Sequence, residues 1–205
     1  MTDSTRIYGG RTVADRQAER RQRFLEAALE EFSGTGYARS SVTSLCKAAG
    51  LSRRQFYEIF DDREALLIAV YDEIQGSARD AVSAALAACE SSDHHELATT
   101  AMRAYMEAIA TDPRRAEVSF VQVVGVSPTM EAHRLAGRDE WMDFFVTGLS
   151  TFARREPSPR THQLATAFVG ALTAVVHGWS IEQKCTDIDE VVSVLSDILV
   201  AFITL

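Results

Sequence analysis

Residues 41–66 read SVTSLCKAAGLSRRQFYEIFDDREAL. Two short helical runs, Val42 to Ala49 and Arg53 to about Ile59, are separated by Gly50-Leu51-Ser52. Glycine reaches the left-handed backbone that lets a chain leave a helix. Ser41 precedes the first run and Ser52 the second, and a serine there accepts from the free N–H groups of the helix start. Leu51 can plug the angle between the runs, while Leu45 and Ala48 face Phe56 and Phe60 across it. This is the pattern of a helix-turn-helix, whose second helix can lie in the major groove of DNA. The first turn of that helix carries Arg53, Arg54 and Gln55. Arginine suits guanine edges and glutamine suits adenine. Tyr57 can present a hydroxyl to a phosphate. Arg63 stands in the first turn of the next helix, where a cation opposes the helix dipole. The mismatch makes sense if a phosphate occupies that helix start. Together with Ser41, Thr43 and Ser52, these are the candidate DNA-binding residues.

Outward from this stretch, the whole chain reads as helix. A helix from Val13 to Phe32 carries the stripe Phe24, Ala28 and Phe32, with Thr12 as N-cap and Gly34 and Gly36 at its end. Arg16, Arg20 and Arg23 recur on it at i, i+4 and i+7, placed either to reach phosphates or to pair with Glu19 and Glu26. Residues 1–11 are polar, contain Gly9-Gly10 and read as a mobile arm. On the other side, Asp61 and Glu64 form a capping box for a helix reaching about Glu90. A helix from His95 to Ala110 follows. Asp112-Pro113 and Ser127-Pro128 each combine an N-cap with a proline at the first helical position. The second of these opens a helix to about Arg155. The loop EPSP, residues 156–159, precedes helices Arg160 to Lys184 and Ile188 to Ile203. The expectation is an all-α chain of about nine helices: an arm over 1–11, a three-helix DNA-binding domain over 12–60, and a larger helical domain over 61–205.

The register of the first third resembles the DNA-binding domain of the TetR/AcrR family of bacterial transcriptional regulators. Phe32, Gly36, Tyr37, Ser41, Val42, Leu45, Ala49, Gly50, Leu51, Ser52, Phe56, Tyr57, Phe60, Arg63, Glu64 and Leu66 fall where that family's pattern asks for them. The likeness covers about residues 16–75. Cys46 stands where alanine is usual, Arg54 where glycine or proline is common, and Gln55 where threonine or serine is common. Arg63 replaces the usual lysine. The two departures on the DNA-facing turn bear on the operator sequence. The resemblance implies a cytoplasmic homodimer bound to a palindromic operator on double-stranded DNA, paired through its last two helices. It further implies a repressor released by a small-molecule effector. The alternative is the same fold without a small-molecule effector, acting as an architectural or protein-regulated factor.

Composition agrees with this reading. The chain has 205 residues, 46% hydrophobic and 24% charged, which excludes a disordered or collagen-like protein. It has no stretch of about 18 consecutive apolar residues and no secretory h-region, so neither a membrane partner nor export is expected. Cys46, Cys89 and Cys185 lack metal-ligand spacing, and His94-His95-Glu96 is not a zinc motif. No P-loop, G-x-S-x-G or H-E-x-x-H is present, so no enzyme activity, cofactor or metal is expected. The net charge of -8 hides an asymmetry. Residues 1–60 hold 10 basic and 7 acidic residues, a balance of +3, against 11 and 22, a balance of -11, over 61–205. A basic end on an acidic body points to a polyanion at the basic end.

In the larger domain Met102, Tyr105, Met106, Phe120, Trp141, Phe145 and Phe168 lie on inward faces. Gln122 and His177 interrupt apolar runs as polar groups. These are candidates to line an apolar effector pocket, and equally to form a packed core. The acidic excess favours a neutral or cationic lipophilic ligand over an anionic one. Thr166, Gly170, Thr173 and His177 form a small-or-polar stripe, which lines a cavity or admits a helix of a second copy. Gly170 and Thr173, with Val192, Leu195, Leu199 and Phe202 of the last helix, are the candidate dimer interface.

Overall fold

The computed structural model describes residues 13–153, 156–182 and 187–204. The arm, Thr12 and Cys185 lie outside the described residues. Among those residues every regular element is helical. In order they are α1 Val13–Gly34, a 3-10 turn Tyr37–Arg39, α2 Val42–Ala49, α3 Arg53–Tyr57 and α4 Arg63–Ala88. Then come α5 His94–Ala110, α6 Pro113–Ala116 running into a π-helical segment Glu117–Gln122, α7 Pro128–Ala153, α8 Pro159–Glu182 and α9 Ile188–Thr204. The chain divides into two compact units between Tyr71 and Asp72, inside α4. The sequence places that boundary at 60/61. It falls later because Leu66 and Leu67 on α4's first turns are fully buried and complete the first core.

That first core is built from rings. Phe24 of α1 meets Phe56 of α3 edge-on at 5.3 Å and Phe60 at 6.1 Å. Phe32 meets Tyr37 at 5.3 Å. Such pairs add about 0.5–1.5 kcal/mol each beyond area burial. Leu45, Cys46 and Ala49 are the buried residues of α2. Ala48, expected on that face, is exposed. The helix is turned by one residue because Leu45 and Ala49, four apart, share the inward face. Both helix starts carry reciprocal capping boxes, Ser41 with Ser44 and Ser52 with Gln55. Gly50 closes α2 with φ 61°. At α4 the cap is Asp62, which accepts from the Ala65 N–H at 2.8 Å, and not Asp61 as the spacing suggested.

In the second unit α5 and α9 pack most extensively. Leu97, Ala101, Met102, Tyr105, Met106 and Ile109 of α5 are buried, as are Val191, Val192, Leu195 and Leu199 of α9. Asp112 caps α6 as its sequence signals, accepting from the Arg114 N–H at 3.0 Å. The α8 stretch Pro159–Ile181 is long and apolar enough to cross a membrane by composition, and 33% of its most apolar window is buried within the chain.

Candidate functional site

The first unit presents its basic face through α3. Arg53, Arg54 and Tyr57 are exposed, Arg54 with 90% of its side chain free and Tyr57 51% exposed. Ser41, Thr43 and Ser52 at the two helix starts are exposed as well. Lys47 on α2 joins them. It was missed in the sequence because a single lysine on a short helix carries no pattern. Arg54 Nε donates to Glu58 Oε1 at 3.2 Å, an i, i+4 pair that leaves the guanidinium at the surface. Arg16 and Arg20 line an open groove of about 450 Å³ with Val13, Gln17, Glu58 and Ile59. Arg20 lies 3.4 Å from Glu58.

Other candidates have jobs inside the fold. Arg63 Nη1 donates to the Tyr37 carbonyl at 2.8 Å and also to the Ser40 carbonyl, while its guanidinium lies 4.0 Å from the Tyr37 ring centroid. Arg63 thus clamps the turn before α2. Burial pushes the Tyr37 hydroxyl above its ordinary pKa, against the opposing hydrogen bond from Arg63. Gln55 Oε1 accepts from the Ser52 N–H at 2.9 Å, so its acceptor serves the α3 cap. Arg23 turns inward from the basic stripe and donates to the carbonyls of Ala49 at 2.7 Å and Gly50 at 3.2 Å, capping α2. Neither Glu19 nor Glu26 is the recipient of those bonds. Burial raises the pKa of the Cys46 thiol, which keeps it a neutral apolar neighbour.

In the second unit Met102, Tyr105, Met106, Phe120, Trp141, Phe145 and Phe168 are all buried. Trp141 meets Tyr105 edge-on at 5.3 Å and stacks on Phe145 at 5.8 Å, and Phe145 meets Phe168 at 4.7 Å. His177 Nδ1 donates to the Phe120 carbonyl at 2.7 Å. Gln122 Nε2 donates to Glu117 Oε1 at 2.7 Å. Sequence reading missed Gln75, a buried residue that accepts from Trp141 Nε1 at 2.9 Å.

The expected dimer face needs correction. Val192, Leu195 and Leu199 are 0–5% exposed in the single chain. They are core, because α9 turns its most apolar stripe inward. What stays open is Gly170, half-buried Thr173 and Phe202, Ile181 at 62% exposure and Val194 at 43%. A side chain at Gly170 would meet nothing within 4 Å.

Residues 24–70 match the profile of the bacterial regulatory proteins of the tetR family. A search of curated proteins returned no match. Among solved structures, the fatty acid degradation regulator FadR from Bacillus halodurans superposes with TM-score 0.72 at 19% identity, over 88% of this chain and 94% of that one. FadR from Bacillus subtilis, in complex with stearoyl-CoA, gives 0.73 at 17% identity, over 88% and 97%. A TetR-family regulator from Syntrophomonas wolfei gives 0.74 at 17%, over 91% and 96%.

Proposed function

The chain belongs to the TetR family of bacterial regulatory proteins through its helix-turn-helix unit, and from that premise we propose a homodimeric repressor that a small ligand releases from a palindromic operator. The observation that carries DNA binding is the exposed α3 face of Arg53, Arg54 and Tyr57 on a fully capped helix-turn-helix. Two such faces, one per subunit, enter successive major grooves about 34–36 Å apart. Dimer formation is supported by α8, a long apolar helix of which the chain buries only 33% of the most apolar window. A ligand binds the second unit better when the two recognition helices are misplaced, and DNA affinity falls by that difference, about 1–3 kcal/mol. The lever is α4, continuous from Arg63 to Ala88. The FadR complex with stearoyl-CoA supports a lipophilic ligand in a second unit of this fold.

Binding-site selection with the purified protein, followed by titration of the selected duplex at rising salt, tests the reading. A palindrome should emerge, and Arg53→Ala should lower the salt slope by about 1. Selection of no symmetric sequence would defeat it. The second reading, a regulator without a small-molecule effector, is favoured by one observation: the apolar candidates pack ring to ring at 4.7–5.8 Å. An operator complex unmoved by any lipophilic compound would decide for it.

A further inference from the structure

Among the described residues, Arg79 Nη1, Arg115 Nε and Ser119 Oγ are buried with no hydrogen-bond partner. All belong to the second unit. All three groups can donate, and buried donors require acceptors. They are also gathered by one turn of α4. Ser77 Oγ accepts from Arg115 Nη2, and Gln75 accepts from Trp141. Arg79 reaches α7, where its Nη2 lies 3.0 Å from Glu140 Oε2 and its guanidinium 5.7 Å from the Trp141 ring. Arg115 and Ser119 are four residues apart and so share a helix face. Ser119 is 3% exposed.

Charge decides what would satisfy them. Arg79 shares its charge with Glu140, whose side chain is 61% exposed. The hydrogen bond of Arg115 goes to the neutral hydroxyl of Ser77. The neighbouring carboxylate, Asp112, is taken by Arg114 in a fork of 2.7 and 3.0 Å bonds. A part-buried guanidinium with an idle N–H, beside an idle buried hydroxyl, matches a group with several acceptor oxygens and negative charge. Trp141 connects this polar cluster to the apolar one, since it contacts Gln75, Arg79, Tyr105 and Phe145. We infer that the second unit binds an anionic amphiphile whose oxyanion headgroup, carboxylate or phosphate, is held by Arg115, Ser119 and Arg79. This rests on the ligand-responsive reading and reverses the charge preference expected from composition, because the acidic excess does not describe this interior.

The full-length protein is titrated with laurate, dodecyl phosphate, dodecanol and dodecylammonium, reading calorimetric binding and operator affinity separately. Both anions should bind at least about tenfold more tightly than the alcohol or the amine. The ratio of laurate to dodecyl phosphate identifies the headgroup. Arg115→Gln should lose that preference, and Arg115→Lys should keep part of it, having charge without the fork. Ser119→Ala guards against misfolding: removing an unpartnered buried hydroxyl should raise the melting temperature of the free protein while weakening anion binding. Equal binding of dodecanol or dodecylammonium, absence of anion binding, or anion binding untouched in both Arg115→Gln and Ser119→Ala would overturn the inference. If dodecanol released the operator and the anions did not, the oxyanion site would fall and ligand-released repression would stand. If the anions bound through Arg115 without moving operator affinity, the site would stand and that mechanism would fall.

Discussion

Arg63 and Arg54 lie nine residues apart and divide a basic patch into structure and recognition. Arg63 satisfies carbonyls of the turn before α2. Arg63→Ala strips a charged donor from them and should cost about 1.5–3 kcal/mol, seen as an earlier thermal transition. Arg54→Ala removes an almost fully exposed side chain and should leave stability within about 0.5 kcal/mol while weakening operator binding. An Arg63→Ala protein that melted like wild type would return Arg63 to phosphate binding. Gln55 permits a sharper separation. Gln55→Glu preserves the acceptor that caps α3 and places a negative charge on the α3 face. Its melting temperature should hold and its affinity for every duplex should fall. Early melting would show that the amide, and not the acceptor, matters there. The exposed donors of α3 were legible in the sequence because a serine cap followed by Arg-Arg fixes where they project. The inward roles of Arg63 and Arg23 were not. Their acceptors are backbone carbonyls, which any residue would supply.

The α6 start shows how an element responds to pH. Asp112 has its pKa held below the ordinary carboxylate range, first by its side-chain bond with Arg114. A carboxylate lowered on folding contributes stability that is present above the unfolded pKa. That contribution is lost as pH falls through the folded pKa. Asp112→Asn, which keeps a capping oxygen but no charge, should therefore flatten the acid limb of the stability curve, below the ordinary aspartate range, as read by denaturant titration at stepped pH. An unchanged acid limb would show that Asp112 gains nothing from Arg114. The proline signal of this element was visible in the sequence, and so were most helix ends. The π-helical continuation Glu117–Gln122 was not visible. A wide turn alters the backbone bonding, and here the Phe120 carbonyl is met by His177, 57 residues away in sequence. No local pattern encodes such a partner.

At the scale of the whole molecule, single-chain burial separates fold from assembly. Leu195→Glu should unfold the second unit, because Leu195 has no exposure at all. Gly170→Glu and Ile181→Glu change open positions of α8 and should leave the melting profile of a folded chain while sedimentation shifts from dimer to monomer. Dimers persisting in both variants would place the contact elsewhere. The sequence could not make this division, since α9 is apolar on more than one side and only the packing of α5 shows which stripe is taken. The uncovered apolar length of α8 has a consequence for dosage. Under the dimer reading, a newly made chain is protected from proteolysis only once it meets a second, and the stability of such a pair rises with its concentration. Scarce chains are then cleared faster than abundant ones. Promoter occupancy should consequently climb with expression more steeply than the affinity of the assembled dimer alone would give, and a cell inheriting few copies would lose control of the target abruptly.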